Sequence, residues 1–357
     1  MHDEPARTEG VAPRIRARIT DVAARAGVSI KTVSRVVNDE SGVLPGTRDR
    51  VIEAIRELDF IPDVRARALK RGGTDTVGVI IDSISDGFFS AVVSSIEKLA
   101  LADGLSVLFA STGYEESRER AQLERLMGHR LRGLILAPVG ITSDELRDLQ
   151  GQFPTVCIDR SREGIDSVVV DDFGASLEAT RTFIAQGHRR IGFVRGTIGY
   201  PTVAARLQGM KSALAGAGID FDESLVISHE HDSAVVAPVT TLLRRPDAPT
   251  AVFCATSLAS MATLRAVHND DVAMPALISF GDFDLASIVN PGISCVDQDP
   301  SYIGEAAYRR LIALVGATDA EPQHTVVPTR IVQRGSGETP PRSDLRALRA
   351  DAPGVAS

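Results

Sequence analysis

A chain of 357 residues suits two or three compact units rather than one small domain, and 43% hydrophobic residues can fill real cores. No apolar run reaches a membrane span, MHDEPARTEG at the N-terminus has no signal-like apolar segment, and Cys157, Cys254 and Cys295 lie far apart, unlike a disulfide framework or a zinc site. The net charge of −8 divides into a basic stretch at 14–72 (13 Lys and Arg, 8 Asp and Glu) and an acidic body at 74–357 (25 and 36), so only the head attracts phosphates.

Residues 1–18 mix Pro, Gly, Ala and charge without periodicity and read as a disordered arm, whose Arg14, Arg16 and Arg18 either touch phosphates or are simply solvated. ITDVAARAGVSIKTVSRVVN, from Ile19 to Asn38, reads as two short helices. Thr20 caps the first, with Val22, Ala23 and Ala26 inward, and Gly27 ends it. Val28 plugs the turn and Ser29 caps the second helix. There Val33, Val36 and Val37 share one face, while Lys31, Ser34, Arg35 and Asn38 form a polar stripe on the other. Such a helix-turn-helix offers a surface of major-groove size.

After the loop NDESGVLPGT, Thr47 caps a third helix with the apolar stripe Val51, Ile52, Ile55 and Leu58, and Phe60-Ile61-Pro62 closes the head. The next segment, DVRARALKRGG, has Asp63 as a cap and Gly72-Gly73 as a stop. Its one large apolar residue, Leu69, has nothing local to pack on. It is either a marginal helix that orders on a partner or a DNA groove, or a plain basic linker.

From Thr76 apolar runs alternate with helical spacing: TVGVIID, LSVLFAS, GLILAP, PTVCID, SVVV, RIGFVRG, LVIS, TAVFCA, ALISFG, ISCV and HTVVP, with helical stretches at 88–102, 116–130, 172–186, 201–217, 257–268 and 301–315. The unit recurs too often for one sheet, so the fold class is an all-α head plus an α/β body of two doubly wound parallel-sheet lobes with a ligand cleft at their strand ends. GSGETPPRSDLRALRADAPGVAS reads as a loose tail.

Head, basic linker and two-lobed body, in that order, resemble the LacI/GalR family of transcriptional regulators over roughly residues 19–335. The motif DVAxxAGVSxxTVSRVVN from Asp21 to Asn38 carries most of the resemblance, with Thr47-Arg48 and Phe60-Ile61-Pro62. Weaker matches are VGVIID with DGFF, IDR from Ile158, VDDFG from Val170, GHRRIG from Gly187, RLQG from Arg206 and VDQDP from Val296. The resemblance implies a cytoplasmic homodimer or tetramer, most simply a repressor, on palindromic operator DNA. It implies base readout by Ile30, Lys31 and Arg35, and a Leu69 wedge, flanked by Lys70, that opens the minor groove. Thr20, Ser29, Thr32, Ser34 and Asn38 suit phosphates better; Ser29 is then both cap and contact.

It also implies lobes like those of periplasmic sugar-binding proteins, lobe 1 at about 76–170 and 300–322 and lobe 2 at about 171–297 and 324–335. A small-molecule effector, a sugar or sugar derivative, lies between them. Residue by residue, the effector set is Asp82, Asp86, Phe88, Phe89, Asp159, Arg206, Thr256, Asp282 and Gln298. Each has a bland reading beside it: strand-end Asp as cap, paired Phe as core, helical Arg as solvated. Two departures bear on the ligand. The family's usual Asn-Asp is Thr256-Ser257 here, and its Gly-Phe-Asp-Asp is Ser279-Phe280-Gly281-Asp282, leaving Asp282 or Asp284 to supply the acid.

A soluble sugar-binding receptor without DNA function is the alternative, and the basic head argues against it. An enzyme on this fold lacks its motifs: VGVIIDSISDG stands where G-x-G-x-x-G would follow the first strand, and neither a phosphate loop nor G-x-S-x-G occurs. His229 and His231 form a HxH pair with no third ligand in view, and no cofactor or metal is expected.

Overall fold

The computed structural model describes residues 17–37, 41–60, 75–195, 200–228, 235–269, 272–317 and 320–341. The arm to residue 16, Asn38, Ile61-Pro62, the linker with Leu69 and Lys70, and His229 and His231 lie outside them. Residues 1–74 and 75–357 form two compact units.

The head has helices Ile19–Ala26, Ile30–Val37 and Pro45–Glu57 around Val22, Ala23, Ala26, Val33, Val36, Val51 and Ala54. Gly27, at φ 65, ends the first helix in the left-handed conformation that glycine adopts without cost. Thr20 does not cap that helix. The cap position is two residues earlier, at Arg18, whose N–H donates to Asp21 in the first turn at 2.7 Å. Ser29 does cap the second, with Thr32 N donating to Oγ at 3.1 Å. Nor does Thr47 cap the third. Pro45 opens it, having the φ of a first turn and no N–H to satisfy. Ile52 is 36% exposed and Ala54 takes the inward place, since Val51, Ala54, Ile55 and Leu58 follow the helical repeat and Ile52 sits a quarter-turn off it.

The body has two six-stranded sheets. The first runs in the order β11-β5-β4-β3-β1-β2, with β1 Thr76–Ile81, β2 Ser106–Ser111, β3 Gly133–Leu136, β4 Thr155–Ile158, β5 Asp166–Val170 and β11 His324–Val327, all parallel. The second runs β12-β10-β9-β8-β6-β7, with β6 Ile191–Arg195, β7 Val226–Ser228, β8 Ala251–Cys254, β9 Ala276–Phe280, β10 Ser294–Asp297 and β12 Arg330–Val332. Only β12 in that sheet is antiparallel. β3, β4, β8 and β9 are buried at every residue, as expected of strands covered on both faces.

Each expected strand forms, and helices occupy each expected helical stretch. Ser143–Gln150 and Val236–Leu243 are helices outside the expected set. The lobe boundary near the C-terminus is corrected: β11 extends the first sheet, pairing His324 to Val327 with Ser167 to Val170 along the edge of β5. The chain therefore passes between the sheets three times, at residues 171, 298–299 and 328–329.

The loose tail is corrected too, as far as residue 341. Ser336 is buried, donates to Leu277 O at 2.5 Å and accepts from Ser294 N at 2.9 Å, while Thr339 O accepts from His188 Nε2. These polar contacts, not an apolar pattern, hold the segment on the second lobe. The three cysteines are buried, which pushes the Cys157 thiol up to about 12 and the Cys254 thiol up to about 11.

Glu119 fixes the turn after β3. Fully buried, its carboxylate accepts from Val139 N, Gly140 N and Ile141 N at 2.7, 2.7 and 2.8 Å. Glu119→Ala strands three inward N–H groups, at about 1–3 kcal/mol each. Urea unfolding of the body should lose at least about 3 kcal/mol; a loss below about 1 kcal/mol would mean that water replaces the carboxylate.

Candidate functional site

In the head, helix Ile30–Val37 turns Val33 and Val36 into the core. That leaves Lys31 exposed, Ile30 49% exposed, and Ser34 and Arg35 half-buried on the other side. A short cylinder with one buried apolar face and one basic, polar face has the dimensions of a major-groove reader. Thr20 and Ser29 are exposed near the starts of the two helices, and Thr32 Oγ1 lies 2.9 Å from Ser29 Oγ.

In the body, one cleft gathers residues from the strand ends of both lobes. Asp82 follows β1, Asp86, Phe88 and Phe89 open helix Gly87–Ala102, and Asp159 follows β4. From the other side come Arg206 in helix Pro201–Gly216, Thr256 after β8, and Gln298 after β10. The lining surrounds about 640 Å³ of space between atoms, open mouth included.

Two buried ion pairs organise it. Arg160 Nη2 donates to Asp82 Oδ2 at 2.5 Å. Arg206 Nε donates to Asp172 Oδ1 at 2.7 Å, its Nη1 donates to Ala255 O at 2.7 Å, and its Cζ lies 3.7 Å from the centre of the Phe280 ring. Arg206 is 5% exposed, so the bland expectation of a solvated helical arginine fails. Asp159 has φ 63, a left-handed conformation that Asp tolerates better than most side chains.

The bland readings hold alongside at three positions. Asp86 caps its helix through Phe88 N at 3.0 Å, Thr256 Oγ1 accepts from Ala259 N at 3.0 Å, and Phe89 is 3% exposed and part of the core. Asp282 is the correction. It lies outside the cleft lining, with both carboxylate oxygens bound by Arg334 at 2.7 and 2.5 Å. Gly281, at φ 90, faces the cleft instead, and its glycine backbone turns the next side chain away. Sequence reasoning also missed Tyr114, Arg160 and Tyr200. Arg160 stood within the quoted IDR, while Tyr114 lies in a turn and Tyr200 at the cap of helix Pro201–Gly216, positions without periodicity.

Burial raises the Asp82 carboxyl to about 6, with Arg160 opposing and the charge of Asp159 adding. Burial likewise raises Asp172 to about 6 against the pull of Arg206. Carboxyls above their ordinary 3.8 bind protons better folded than unfolded. Their contribution to stability is therefore greatest in acid, falls as pH rises from 3.8 to about 6, and is level above that. Asp82→Asn should make the melting temperature fall less steeply across that window than in the native chain; identical slopes would place the Asp82 carboxyl at its ordinary value.

The family comparisons match both units. Residues 18–63 match the model described as bacterial regulatory proteins, lacI family, and residues 180–337 match that of the periplasmic binding protein-like domain. The transcriptional regulator GalR of Salmonella typhimurium (strain SL1344) is 34% identical over 333 residues, covering 91% of this chain and 97% of the relative. The chain belongs to the lacI family of bacterial regulatory proteins. The structure of a transcriptional regulator CelR–cellobiose complex is 28% identical with a TM-score of 0.65, covering 90% of this chain and 100% of that one. The lac repressor dimer bound to operator and an anti-inducer shares the fold, at 23% identity and a TM-score of 0.76, covering 91% and 100%. This lacI-family protein is a DNA-binding transcriptional regulator with an effector-binding body. Among the described residues no helix is long and apolar enough to cross a membrane.

Proposed function

We propose that this regulator is a cytoplasmic repressor, a regulator and not an enzyme, that binds a palindromic operator as a homodimer and is tuned by a small molecule in the interlobe cleft. Lys31 and Arg35 donate to guanine O6 and N7, Ile30 touches a thymine methyl, and Thr20, Ser29, Thr32, Ser34 and Asn38 hold phosphates. Leu69 wedges the central step beside Lys70. The effector contacts Asp82, Asp86, Phe88, Phe89, Asp159, Arg206, Thr256 and Gln298. The division 19–62 head, 63–73 hinge and 74–335 body underlies this assignment.

The observation that carries it is the convergence of those eight side chains, from strand ends and helices of both lobes, on one cleft. A ligand that prefers one lobe arrangement shifts operator affinity by its differential binding, and a full swing needs about 5.5 kcal/mol. A gel shift on the DNA upstream of its own gene, with and without candidate sugars, tests it. Two-fold symmetric, salt-sensitive binding that a sugar alters is expected. Sugar binding with no DNA shift even at low salt would instead identify a binding receptor.

A further inference from the structure

A second groove in the body shares no lining residue with the effector cleft. Its apolar walls are Leu177, from helix Asp172–Ala185, Val326 and Val327, from β11, and Ile331, from β12. Val326 is 50% exposed there, a large apolar side chain left facing water. β11 and β12 are the outer strands of their sheets, so the groove opens along two sheet edges. It also lies at the pivot. Asp171 and Pro328-Thr329 are two of the three crossings between the lobes, and Val296 stands two residues before the third.

The charged residues of this lining are Asp171 and Glu178, both acids. Asp171 caps its helix, accepting from Gly174 N at 2.8 Å. Glu178 binds Arg181 through Oε1, in a pair whose side chains are both mostly exposed. Carboxylates as open as these can accept from further donors. Arg330, the cation on β12, is already held by Asp297. The groove therefore suits an occupant that is apolar and basic together.

This chain carries such a segment. The described residues end at Pro341, beside Gly187, just past the C-terminal end of the same helix: a Cβ at Gly187 would be 3.7 Å from Pro341 Cγ. Beyond comes RSDLRALR, residues 342–349, in which Leu345 and Leu348 alternate with Arg346 and Arg349. An extended chain covers about 3.3 Å per residue, so Leu345 can lie about 13 Å from Pro341 and Leu348 about 23 Å. Helix rise is about 1.5 Å per residue, which puts Glu178 about 12 Å back from Gln186. Both leucines therefore reach the groove.

We propose that residues 342–349 run back along helix Asp172–Ala185 and fill this groove, with Leu345 and Leu348 on Leu177, Val326 and Ile331 and with Arg346 and Arg349 beside Glu178 and Asp171. Seated there, the segment touches both lobes at their pivot. Its short tether presents it at an effective concentration on the order of millimolar, so at micromolar protein it outcompetes the same segment of a second copy.

The test uses the full chain. Cys157, Cys254 and Cys295 are buried, so in Val326→Cys a thiol reagent reaches the new thiol first. That thiol should react at least tenfold more slowly beside the native C-terminal sequence than in a chain that also carries Leu345→Asp and Leu348→Asp; equal rates overturn the proposal. Val326→Cys paired with Leu348→Cys identifies the occupant. Oxidised glutathione should close a disulfide within one chain, and adding Arg346→Glu and Arg349→Glu should slow closure tenfold. Closure at an unchanged rate would mean chance encounter and overturns the docking. A disulfide that instead joins two chains, in a mixture of the two single variants, would give the groove to a second copy and overturn the assignment. The native chain decides if the variants do not fold. Its amides at 342–349 should exchange with deuterium at least tenfold more slowly than in a free peptide of that sequence, and exchange at the peptide's rate overturns the proposal.

Discussion

Arg35→Ala should weaken operator binding by about thirty-fold or more and leave effector affinity where it was. A bidentate arginine–guanine contact discriminates by about 1–3 kcal/mol, and a two-fold operator loses one in each half-site. Arg35 sits one turn beyond Lys31, on the face of its helix opposite the buried Val33 and Val36. Because it is half-buried, the head's own melting transition should be followed alongside. Fluorescence anisotropy on labelled operator at fixed salt measures the first effect, and calorimetry with effector the second. Loss of both affinities would count against the separation of reading head and sensing body.

Arg206→Ala should abolish the operator response to effector and destabilise the body by about 3–5 kcal/mol, since it leaves the buried Asp172 carboxylate without its cation. The two consequences separate in a double variant, Asp172→Asn with Arg206→Met, which removes both charges and keeps an unbranched chain over Phe280. Stability should largely return in that variant while the response stays absent. A double variant that regains both would make the arginine a structural residue only, and a single variant that still responds would place the ligand elsewhere.

What was legible in the sequence follows its physical regularities. The head was readable because valine spacing, a turn glycine and a serine cap encode one another over twenty residues. The sheets were readable because β3, β4, β8 and β9 are buried on both faces and so run apolar throughout. Errors came where the local code is ambiguous. Thr20 and Thr47 look like caps, but Asp21 and Pro45 settle their helix starts. Asp282 follows β9 as a cleft acid would, but the positive φ at Gly281 and the pull of Arg334 take it out of the cleft. Ser336 and Thr339 are held by polar contacts to residues far off in the chain, Leu277, Ser294 and His188, which no periodicity announces. The residues of the cleft were legible only through the resemblance, because strand-end polar residues have structural roles far more often than ligand roles.

The triple passage of the chain between the lobes makes the body a lever with its pivot close to its sensor. Gln298 lies in one crossing, and Asp172, the anchor of Arg206, begins immediately after another. For rotation about such an axis, displacement grows with distance from it. A molecule gripped near Gln298 and Arg206 need shift its surroundings only slightly for the far rims to swing much further, so small differences in ligand shape are amplified before they leave the body.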